Sequence, residues 1–397
     1  MKKLFRSIAL STIALAVIAG NAMAYQITLD VSGERTQSRN ATQGNVKAAY
    51  YNPAGLVNLP EGIHVDVGNR ILYSKTTVEN AAGKEAVSET WTTLLPNAAA
   101  VWRVGSGALF ITFDICEAGG GGSWLNDPEA MGVLKPATPG LTGSEGTAYT
   151  FGTTLGGAAR LNNMLAIYGG VRYLQETRYT VYEGPSVNNA TLAEFENTSA
   201  YGWQGVAGIM ITPMESINIT FHYVSETLKT GEKQSKFRNA TETFEPYTSW
   251  SPNVIAVGLG YTVTPGVEIQ ISYNYTIEGS MSYGGQTKYE SGNGGTSVYG
   301  LGAEYKVMDM LTVSFGMSYL DDSSHPTKMS DPTDPTFDTV IFGAGVVVTP
   351  MPGLNIDLGM SYHIFWESNY EVAGADFYTY NRDAFVMGIG VSYAVSL

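Results

Sequence analysis

Long segments in which apolar and polar residues alternate restrict the fold of this chain more than any other feature. In "GVEIQISYNYTI", residues 266–277, every second residue from Val267 onward is apolar and those between are polar. "MLTVSFGMSY" at 310–319 and "GLNIDLGMSYHIFW" at 353–366 repeat the pattern. Successive side chains of a strand point to opposite faces, so each segment predicts a strand with one apolar face. Globular strands average ~5–6 residues and membrane-crossing strands need ~9–11, and these segments are long enough for the second kind.

Fourteen such segments follow one another along the chain. They span approximately 62–76, 90–103, 107–117, 147–160, 164–181, 199–212, 216–230, 249–262, 266–284, 296–306, 310–320, 336–349, 353–370 and 382–396. Short turns such as "VGSG" alternate with long polar connections, among them 77–89, 118–146 and 231–248, as is typical of outer-membrane barrels. In hydrocarbon every backbone amide needs a partner, so a spanning sheet must close on itself. The sequence therefore predicts an all-β fold, a 14-stranded antiparallel transmembrane β-barrel built from residues 62–397.

Residues 1–24, "MKKLFRSIALSTIALAVIAGNAMA", have the pattern of a secretory signal peptide. Three basic residues precede an apolar stretch, and "AMA" fits the cleavage site. The formal net charge of −14 argues against nucleic acid as a partner. Cys116 is the only cysteine, so no internal disulfide can hold the exported protein together. We therefore expect a mature chain that starts at Tyr25 and leaves the cytoplasm.

Residues 25–61 precede the first alternating segment and contain "KAAYYNPAGLVNLPEG". A barrel of fourteen strands is wider than the eight-stranded kind whose interior side chains can fill. The segment contains turn-forming Pro53 and Gly55, together with more apolar residues than disordered tails usually carry. We predict that residues 25–61 form a compact hatch, or plug, inside the lumen. The alternative is a disordered periplasmic tail.

The stretch "AAYYNPAGL", followed by fourteen predicted strands, resembles the FadL family of outer-membrane transporters (FadL/TodX type). Asn52, Pro53, Ala54 and Gly55 match the hatch motif of that family, and "ARLNN", "YGWQ" and "YLDDSSHP" extend the likeness along the chain. The resemblance implies a barrel in the outer membrane of a Gram-negative bacterium, in contact with lipid and lipopolysaccharide. It also implies transport of long-chain fatty acids or other hydrophobic molecules. One departure is the last residue, Leu397, where barrel proteins commonly end in an aromatic residue.

The family resemblance further implies capture at the outer loops and lateral exit through a defect in the third strand. In "ALFITFDICEAGGGGSW" glycines follow that strand, and glycine weakens strand pairing. The candidate opening consists of Asp114, Gly119, Gly120, Gly121 and Gly122. The alternative is a loop hinge that begins after Glu117.

Two further groups of residues are candidates for ligand contact. Arg172 and Arg178 lie opposite the apolar face of strand five and could bind a carboxylate, although pairing with Glu176 is an alternative. The long connection 118–146 carries apolar residues that could capture a ligand or pack against a neighbouring loop. The candidate capture residues are Trp124, Leu125, Met131, Val133 and Leu134.

The sequence therefore predicts diffusion of hydrophobic molecules, long-chain fatty acids foremost, through a plugged barrel. The alternatives are an importer of aromatic hydrocarbons, a general porin and a structural surface barrel. The four histidines are scattered and no G-x-S-x-G occurs, which argues against an enzyme. No cofactor or metal site is predicted, because metal-ligand spacings are missing. A closed barrel needs no partner subunit, so we expect a monomer.

Overall fold

The computed structural model describes residues 29–119, 123–124, 127–134, 142–183, 193–237, 242–277, 282–283, 286–287, 295–322, 328–329, 338–372 and 376–395. Within these ranges the helices are α1 (Val31–Thr36), α2 (Ala48–Tyr51), a 3₁₀ helix (Pro53–Asn58) and α3 (Pro128–Leu134). No helix in this part of the chain is both long enough and apolar enough to cross a membrane.

The same ranges contain strands of very unequal length. They are β1 (Gly62–Asn80), β2 (Glu85–Val104), β3 (Gly107–Gly119), β4 (Gly143–Arg160), β5 (Leu165–Glu183), β6 (Ala193–Met214), β7 (Ile217–Val224), β8 (Thr227–Phe237), β9 (Thr243–Ser251), β10 (Asn253–Thr264), β11 (Val267–Ile277), β12 (Ser282–Tyr283), β13 (Gln286–Thr287), β14 (Thr296–Met308), β15 (Leu311–Asp322), β16 (Lys328–Met329), β17 (Thr339–Met351), β18 (Leu354–Phe365), β19 (Ser368–Val372) and β20 (Asp376–Val395).

The long strands form one closed antiparallel wall. Each pairs with its neighbours along the chain, and β1 also pairs with β20 from Ile63–Val395 to Asn80–Tyr378. β7 and β8 lie end to end beside β6 and together make up one wall strand. β10 pairs with β7 and β9 pairs with β8, so β9 and β10 together make up the next wall strand. The wall therefore has 14 strands, which confirms the predicted antiparallel β-barrel.

The two faces of the wall differ as the alternating sequence predicts. On β18, Leu358, Met360 and Tyr362 are 44%, 51% and 45% exposed, whereas Asp357 and Ser361 are 1% exposed. Exposed apolar side chains recur on the outward face of strands around the barrel. An outward apolar face combined with a polar interior is the arrangement of an outer-membrane barrel, because only the outward residues meet lipid.

The strands extend beyond their predicted ends on the side of the long connections. β1 and β2 remain paired as far as Glu79 and Glu85, so most of the predicted loop 77–89 is a hairpin. β8 and β9 likewise occupy most of 231–248. Outward side chains here are charged, as at Lys75, so the apolar alternation stops while backbone pairing continues. The predicted ends were wrong because outward residues need to be apolar only where they meet lipid.

The segment that precedes β1 lies against the inner face of the wall. α1 begins after Asp30, whose Oδ1 accepts hydrogen bonds from the Gly33 amide at 3.1 Å and the Ser32 hydroxyl at 2.6 Å. Such side-chain capping stabilises a helix start. Gln37 ends the helix in the left-handed conformation, with φ 55°. All six residues of α1 are buried, in contact with β1, β14, β15, β17, β18 and β20.

Candidate functional site

Buried ion pairs centred on Lys47 attach the N-terminal segment to the wall. The Lys47 Nζ lies 2.9 Å from Asp30 Oδ2, 2.9 Å from Asp66 Oδ1 and 3.3 Å from Asp357 Oδ2. Asp66 belongs to β1 and Asp357 to β18, so one ammonium joins the segment to two wall strands. Removal of one partner from a buried ion pair leaves an uncompensated charge, at a cost of ~3–5 kcal/mol. Sequence reasoning missed Lys47, because only the folded chain brings Asp30, Asp66 and the distant Asp357 around one ammonium.

Burial and ion pairing have opposite effects on the charges of this group. Burial alone would raise the pKa of the Asp30 carboxyl, but Lys47 and the Ser32 hydroxyl hold that pKa well below its usual range. Burial alone would lower the pKa of Lys47, but Asp30, Asp357 and Asp66 raise it well above its ordinary value. Asp30 and Lys47 are therefore both charged at neutral pH.

Two arginines of the N-terminal segment bind a single wall carboxylate. Arg35 pairs with Glu304 Oε1 on β14, and the Arg39 Nη1 lies 2.5 Å from Glu304 Oε2. A reversed pair joins Glu34 of α1 to Arg70 of β1 at 3.1 Å. These contacts, like those of Lys47, lie on the side of the barrel formed by β1 and the C-terminal strands.

Glycines on the lumen face make room for α1. A Cβ at Gly316 would lie 1.8 Å from the Thr36 carbonyl oxygen, and one at Gly302 would lie 2.4 Å from it. A Cβ at Gly343 would lie 2.2 Å from the carbonyl oxygen of Glu34. Real Cβ atoms essentially never approach closer than 3.0 Å, so these wall positions require glycine. The sequence shows that these glycines alternate with apolar residues along their strands. It does not show that the backbone of α1 lies against them.

The predicted hatch motif closes a loop within the segment. The Asn52 side-chain amide donates to the Thr42 carbonyl oxygen at 3.0 Å, and the Gly55 amide donates to the Asn52 carbonyl at 2.8 Å. Pro53 is the first residue of the 3₁₀ helix, a position that needs no amide donor. A Cβ at Gly55 would lie 2.6 Å from the Thr42 carbonyl oxygen, so the loop can close only over glycine. Asn52, Pro53, Ala54 and Gly55 are all buried.

The hatch motif faces the opposite, apolar side of the barrel. Leu56 and Val57 belong to one buried cluster with Phe110 of β3 and Tyr168 of β5. At the end of the 3₁₀ helix, the Val57 carbonyl oxygen accepts hydrogen bonds from Arg103 Nε at 3.0 Å and Arg160 Nη2 at 3.2 Å. The segment is thus held by charges on one side, and by apolar packing and two arginines on the other.

The wall is interrupted between β2 and β3. Their ladder runs from Val104–Gly107 to Ala98–Phe113 and stops there. β2 continues to pair with β1 as far as Glu85, and β3 continues to pair with β4 as far as Gly119. Beyond the end of β3, the Ser123 amide donates a hydrogen bond to Ser88 Oγ of β2 at 2.9 Å. A gap in backbone pairing therefore lies between residues 85–97 of β2 and 114–119 of β3.

Both strands change register beside the gap. β3 has an extra residue, Cys116, between the pairs that Ile115 and Glu117 make with β4. β2 shifts against β1 between Thr92 and Leu95, just before Pro96. Proline cannot donate to a ladder and is rare in central strands, while bulges bend a strand. Pro96 was the sequence signal that could have located the gap.

Apolar side chains fill the gap and form a continuous track through the wall. Leu95 and Ile115 are 4% and 0% exposed and pack with Leu72, Tyr149 and Phe151. Leu72 and Leu95 lie on the lumen side, whereas Tyr149 and Phe151 lie on the outward face of β4. Where the β2–β3 ladder has ended, apolar side chains therefore lie between the lumen and the lipid.

The residues predicted to form an opening lie beside this gap. Asp114 is 0% exposed on the lumen side and accepts a hydrogen bond from Cys116 Sγ at 3.0 Å. Gly119 is the last residue of β3 and pairs with Ala148. Gly120, Gly121 and Gly122 lie outside the described residues. The gap starts before the glycines, at the end of the β2–β3 ladder, so the role predicted for them stays a prediction.

The two predicted carboxylate partners have different surroundings. Arg178 forms an ion pair with Glu176 at 2.5 Å, and its side chain is 51% exposed. Arg172 donates from Nε to Thr154 Oγ1 at 2.9 Å. Among the described residues, no carboxylate oxygen lies within 4.0 Å of the Arg172 guanidinium. Asp114 and Glu117 are near enough to interact electrostatically with Arg172, and binding of a carboxylate by either arginine stays a prediction.

The predicted capture residues are buried rather than exposed. Trp124, Met131, Val133 and Leu134 are at most 4% exposed and belong to one apolar cluster; Leu125 lies outside the described residues. The last three belong to α3, which packs against β1, β2 and β4. The cluster also contains Tyr378, whose hydroxyl donates to the Val133 carbonyl at 3.0 Å. A role in capture stays a prediction, and it would require α3 to expose these side chains.

A serine and a histidine are hydrogen-bonded in the lumen without forming a hydrolytic triad. Ser361 Oγ lies 2.9 Å from His363 Nε2, and the same Oγ donates to Glu34 Oε2 at 2.7 Å. In a triad the carboxylate orients the histidine through its other ring nitrogen. Here the acid, Glu34 of α1, binds the serine, and all three side chains are buried. The described residues also contain no group of three or more metal-ligating side chains.

Known structures share this fold along nearly their whole length. A Pseudomonas aeruginosa FadL homologue is 14% identical, with a TM-score of 0.74 over 94% of this chain and 99% of that chain. The Pseudomonas putida toluene transporter TodX is 12% identical, with a TM-score of 0.69 over 93% and 99%. The Ralstonia pickettii toluene transporter TbuX is 15% identical, with a TM-score of 0.64 over 92% and 98%. No family model and no curated protein sequence matches the chain. The chain therefore has the fold of the FadL-type outer-membrane barrels, as the sequence resemblance implied.

Proposed function

We propose that this barrel carries hydrophobic molecules across the outer membrane by diffusion, and that they leave sideways through the gap between β2 and β3. The apolar track through the wall carries this proposal. Each methylene that moves from water into an apolar environment gains ~0.8 kcal/mol. A ligand that leaves along Leu95, Ile115 and Phe151 keeps that gain, because it passes from an apolar path into lipid. The likeness in fold to proteins described as toluene transporters supports the same reading.

In this proposal residues 25–61 act as the plug that a lumen of this width needs. The buried contacts of residues 29–61 with opposite sides of the wall support that role. A general porin needs an open, water-filled lumen, and the plug distinguishes the two functions. Small polar solutes therefore stay out, while the lateral route serves apolar molecules.

Long-chain fatty acids are the favoured substrates. Arg172 offers a guanidinium on the lumen side of β5, and arginine suits a carboxylate because it can donate two parallel hydrogen bonds. Aromatic hydrocarbons are the second candidate. Phe113 and Phe151 stack at the outward end of the gap with ring centroids 5.9 Å apart, and such rings favour aromatic ligands.

Closing the gap with a disulfide tests the lateral route. We expect Leu95→Cys/Ile115→Cys, in a Cys116→Ser background, to lose most uptake of labelled oleate and toluene when oxidised and to recover it on reduction. Leu95 and Ile115 belong to the same buried cluster across the gap, so the two cysteines would replace residues that lie close together. The matched control is Ala99→Cys/Thr112→Cys, at residues that face each other in the intact ladder. Equal uptake by both oxidised pairs would contradict lateral exit.

Replacing the arginines distinguishes the substrates. We expect Arg172→Met to lower oleate uptake severalfold and to leave toluene uptake unchanged, because only oleate carries a carboxylate. Arg178→Met should have the smaller effect on oleate, since its guanidinium is already paired with Glu176. Uptake is measured in cells that lack their own transporter. Toluene uptake without oleate uptake would make the protein a hydrocarbon importer, and an equal loss from both variants would remove the special role of Arg172.

A further inference from the structure

A group of buried charges, here called the lumen ion cluster, joins β3, β5 and β8 above the hatch. Its centre is Lys229 on β8, which is 1% exposed. The Lys229 Nζ lies 2.8 Å from Glu117 Oε2 and 2.6 Å from Glu176 Oε2. Arg178 pairs with the other oxygen of Glu176, and the Tyr247 hydroxyl donates to it at 2.9 Å. Two positive and two negative charges balance within the cluster.

The cluster connects strands that are not neighbours in the wall. β4, β5 and β6 separate β3 from the strand position of β8. Four strand spacings of about 4.8 Å amount to about 19 Å along the wall, more than a lysine and a glutamate side chain can bridge together if the wall is flat. The pair between Lys229 and Glu117 therefore spans the concave inner side of the closed wall. Gly202 of β6 leaves room for this pair, because a Cβ there would lie 3.0 Å from Lys229 Cγ.

The bulge in β3 directs Glu117 toward this lysine. Asp114 faces the lumen, so strict alternation would place residue 116 inside and residue 117 outside. The extra residue, Cys116, shifts the alternation by one and brings Glu117 into the lumen. The Glu117 Oε2 also accepts a hydrogen bond from Thr150 at 2.8 Å. The bulge, the ion pair and the loss of pairing with β2 therefore fall on the same few residues of β3.

We propose that Lys229 is a positioning residue for the wall gap: its ion pair with Glu117 draws the upper part of β3 into the lumen and prevents the β2–β3 ladder from closing. Both strands continue beyond the last pair of the ladder, β2 to Glu85 and β3 to Gly119. In the register of Ala98–Phe113, continued pairing would place Leu95 directly opposite Cys116. The consequence for transport rests on the proposed function, whereas the consequence for the position of β3 does not.

The rate of disulfide formation between Leu95→Cys and the native Cys116 measures closure of the ladder. Residues that face each other in a closed antiparallel ladder have Cα atoms about 4.5–5.5 Å apart, which suits a disulfide. We expect oxidation to be severalfold faster in the Lys229→Met background than with Lys229 present. Glu117→Leu should have the same effect. It leaves the Lys229–Glu176 pair in place, so it can replace the Lys229→Met variant if that variant folds poorly. Lys233→Met is the matched control, because this lysine of β8 pairs with Glu196 at 2.7 Å and does not reach β3.

Equal oxidation rates in the Lys229→Met, Glu117→Leu and Lys233→Met backgrounds would overturn the positioning role, whatever the uptake. Faster oxidation together with severalfold lower oleate and toluene uptake supports both the positioning role and the lateral exit. Faster oxidation with unchanged uptake supports the positioning role and refutes the lateral exit. The position of β3 and the route of transport are thus tested separately.

Discussion

Lys47→Met is expected to release the N-terminal segment while the barrel stays folded. The substitution leaves Asp30 and Asp66 buried without their cation, which costs ~3–5 kcal/mol and is enough to reverse a marginal docking equilibrium. The wall keeps its backbone ladder, which does not depend on Lys47. Conductance of small ions through the purified barrel in a planar bilayer should rise strongly. Protease should cleave within residues 29–61, and resistance of the barrel to unfolding in detergent should remain.

Lys75→Met is the matched control for this experiment. Lys75 pairs with Glu89 at 3.3 Å, but both side chains are about half exposed, at 47% and 54%. Exposed pairs contribute ~0–1 kcal/mol, so conductance should stay at the wild-type level. A Lys47→Met barrel that conducts no better than the Lys75→Met barrel would show that the ion pairs do not hold the N-terminal segment in the lumen.

Mild acid should not mimic the Lys47 substitution. Burial raises the pKa of Asp30, but Lys47 and the Ser32 hydroxyl together lower it by more than burial raises it. The pKa in the folded state therefore lies below the unfolded value of ~3.9. The stabilisation from this carboxylate is therefore complete above the unfolded pKa and is lost only as the pH falls through the much lower folded value. Titration of Asp30 should therefore cause no difference in wild-type conductance between pH 5 and pH 7.

Gly316→Val is expected to displace α1 by steric exclusion alone. A Cβ at this position would lie 1.8 Å from the Thr36 carbonyl oxygen, and backbone cannot yield as a flexible side chain can. Valine also favours strands, so the wall itself should tolerate the change. We expect conductance comparable with that of Lys47→Met, together with protease cleavage within the segment.

Gly169→Val is the matched control, because it makes the same substitution at a wall position where a side chain meets no close contact. The nearest atom to a Cβ there is the Val206 carbonyl oxygen at 3.9 Å, an ordinary contact distance. Its conductance should match the wild type. If the Gly316→Val barrel also conducts like the wild type, then α1 does not pack against the wall glycines Gly302, Gly316 and Gly343.

Features that depend on neighbouring residues were predictable from the sequence, whereas contacts between distant residues were not. Alternation over ten or more residues predicted the strands, because side-chain direction in a strand depends only on position along it. The same rule failed at 77–89, where pairing continues without lipid contact. Pro96 marks the gap and could have been recognised, whereas Gly119 marks only the end of β3. The apolar residues of α3 left ligand capture and packing as alternatives, and the structure shows them buried against the wall.

The sequence by itself determined the closed 14-stranded barrel, its apolar outer face and the likeness to the FadL family. These follow from short-range alternation, strand length and the need to pair every amide in lipid. Tertiary structure alone decided which charges meet. Lys47 reaches Asp357, and Lys229 reaches Glu117, across more than a hundred residues of chain in each case. Such partners come together only when the wall closes, so no local pattern in the sequence could identify them.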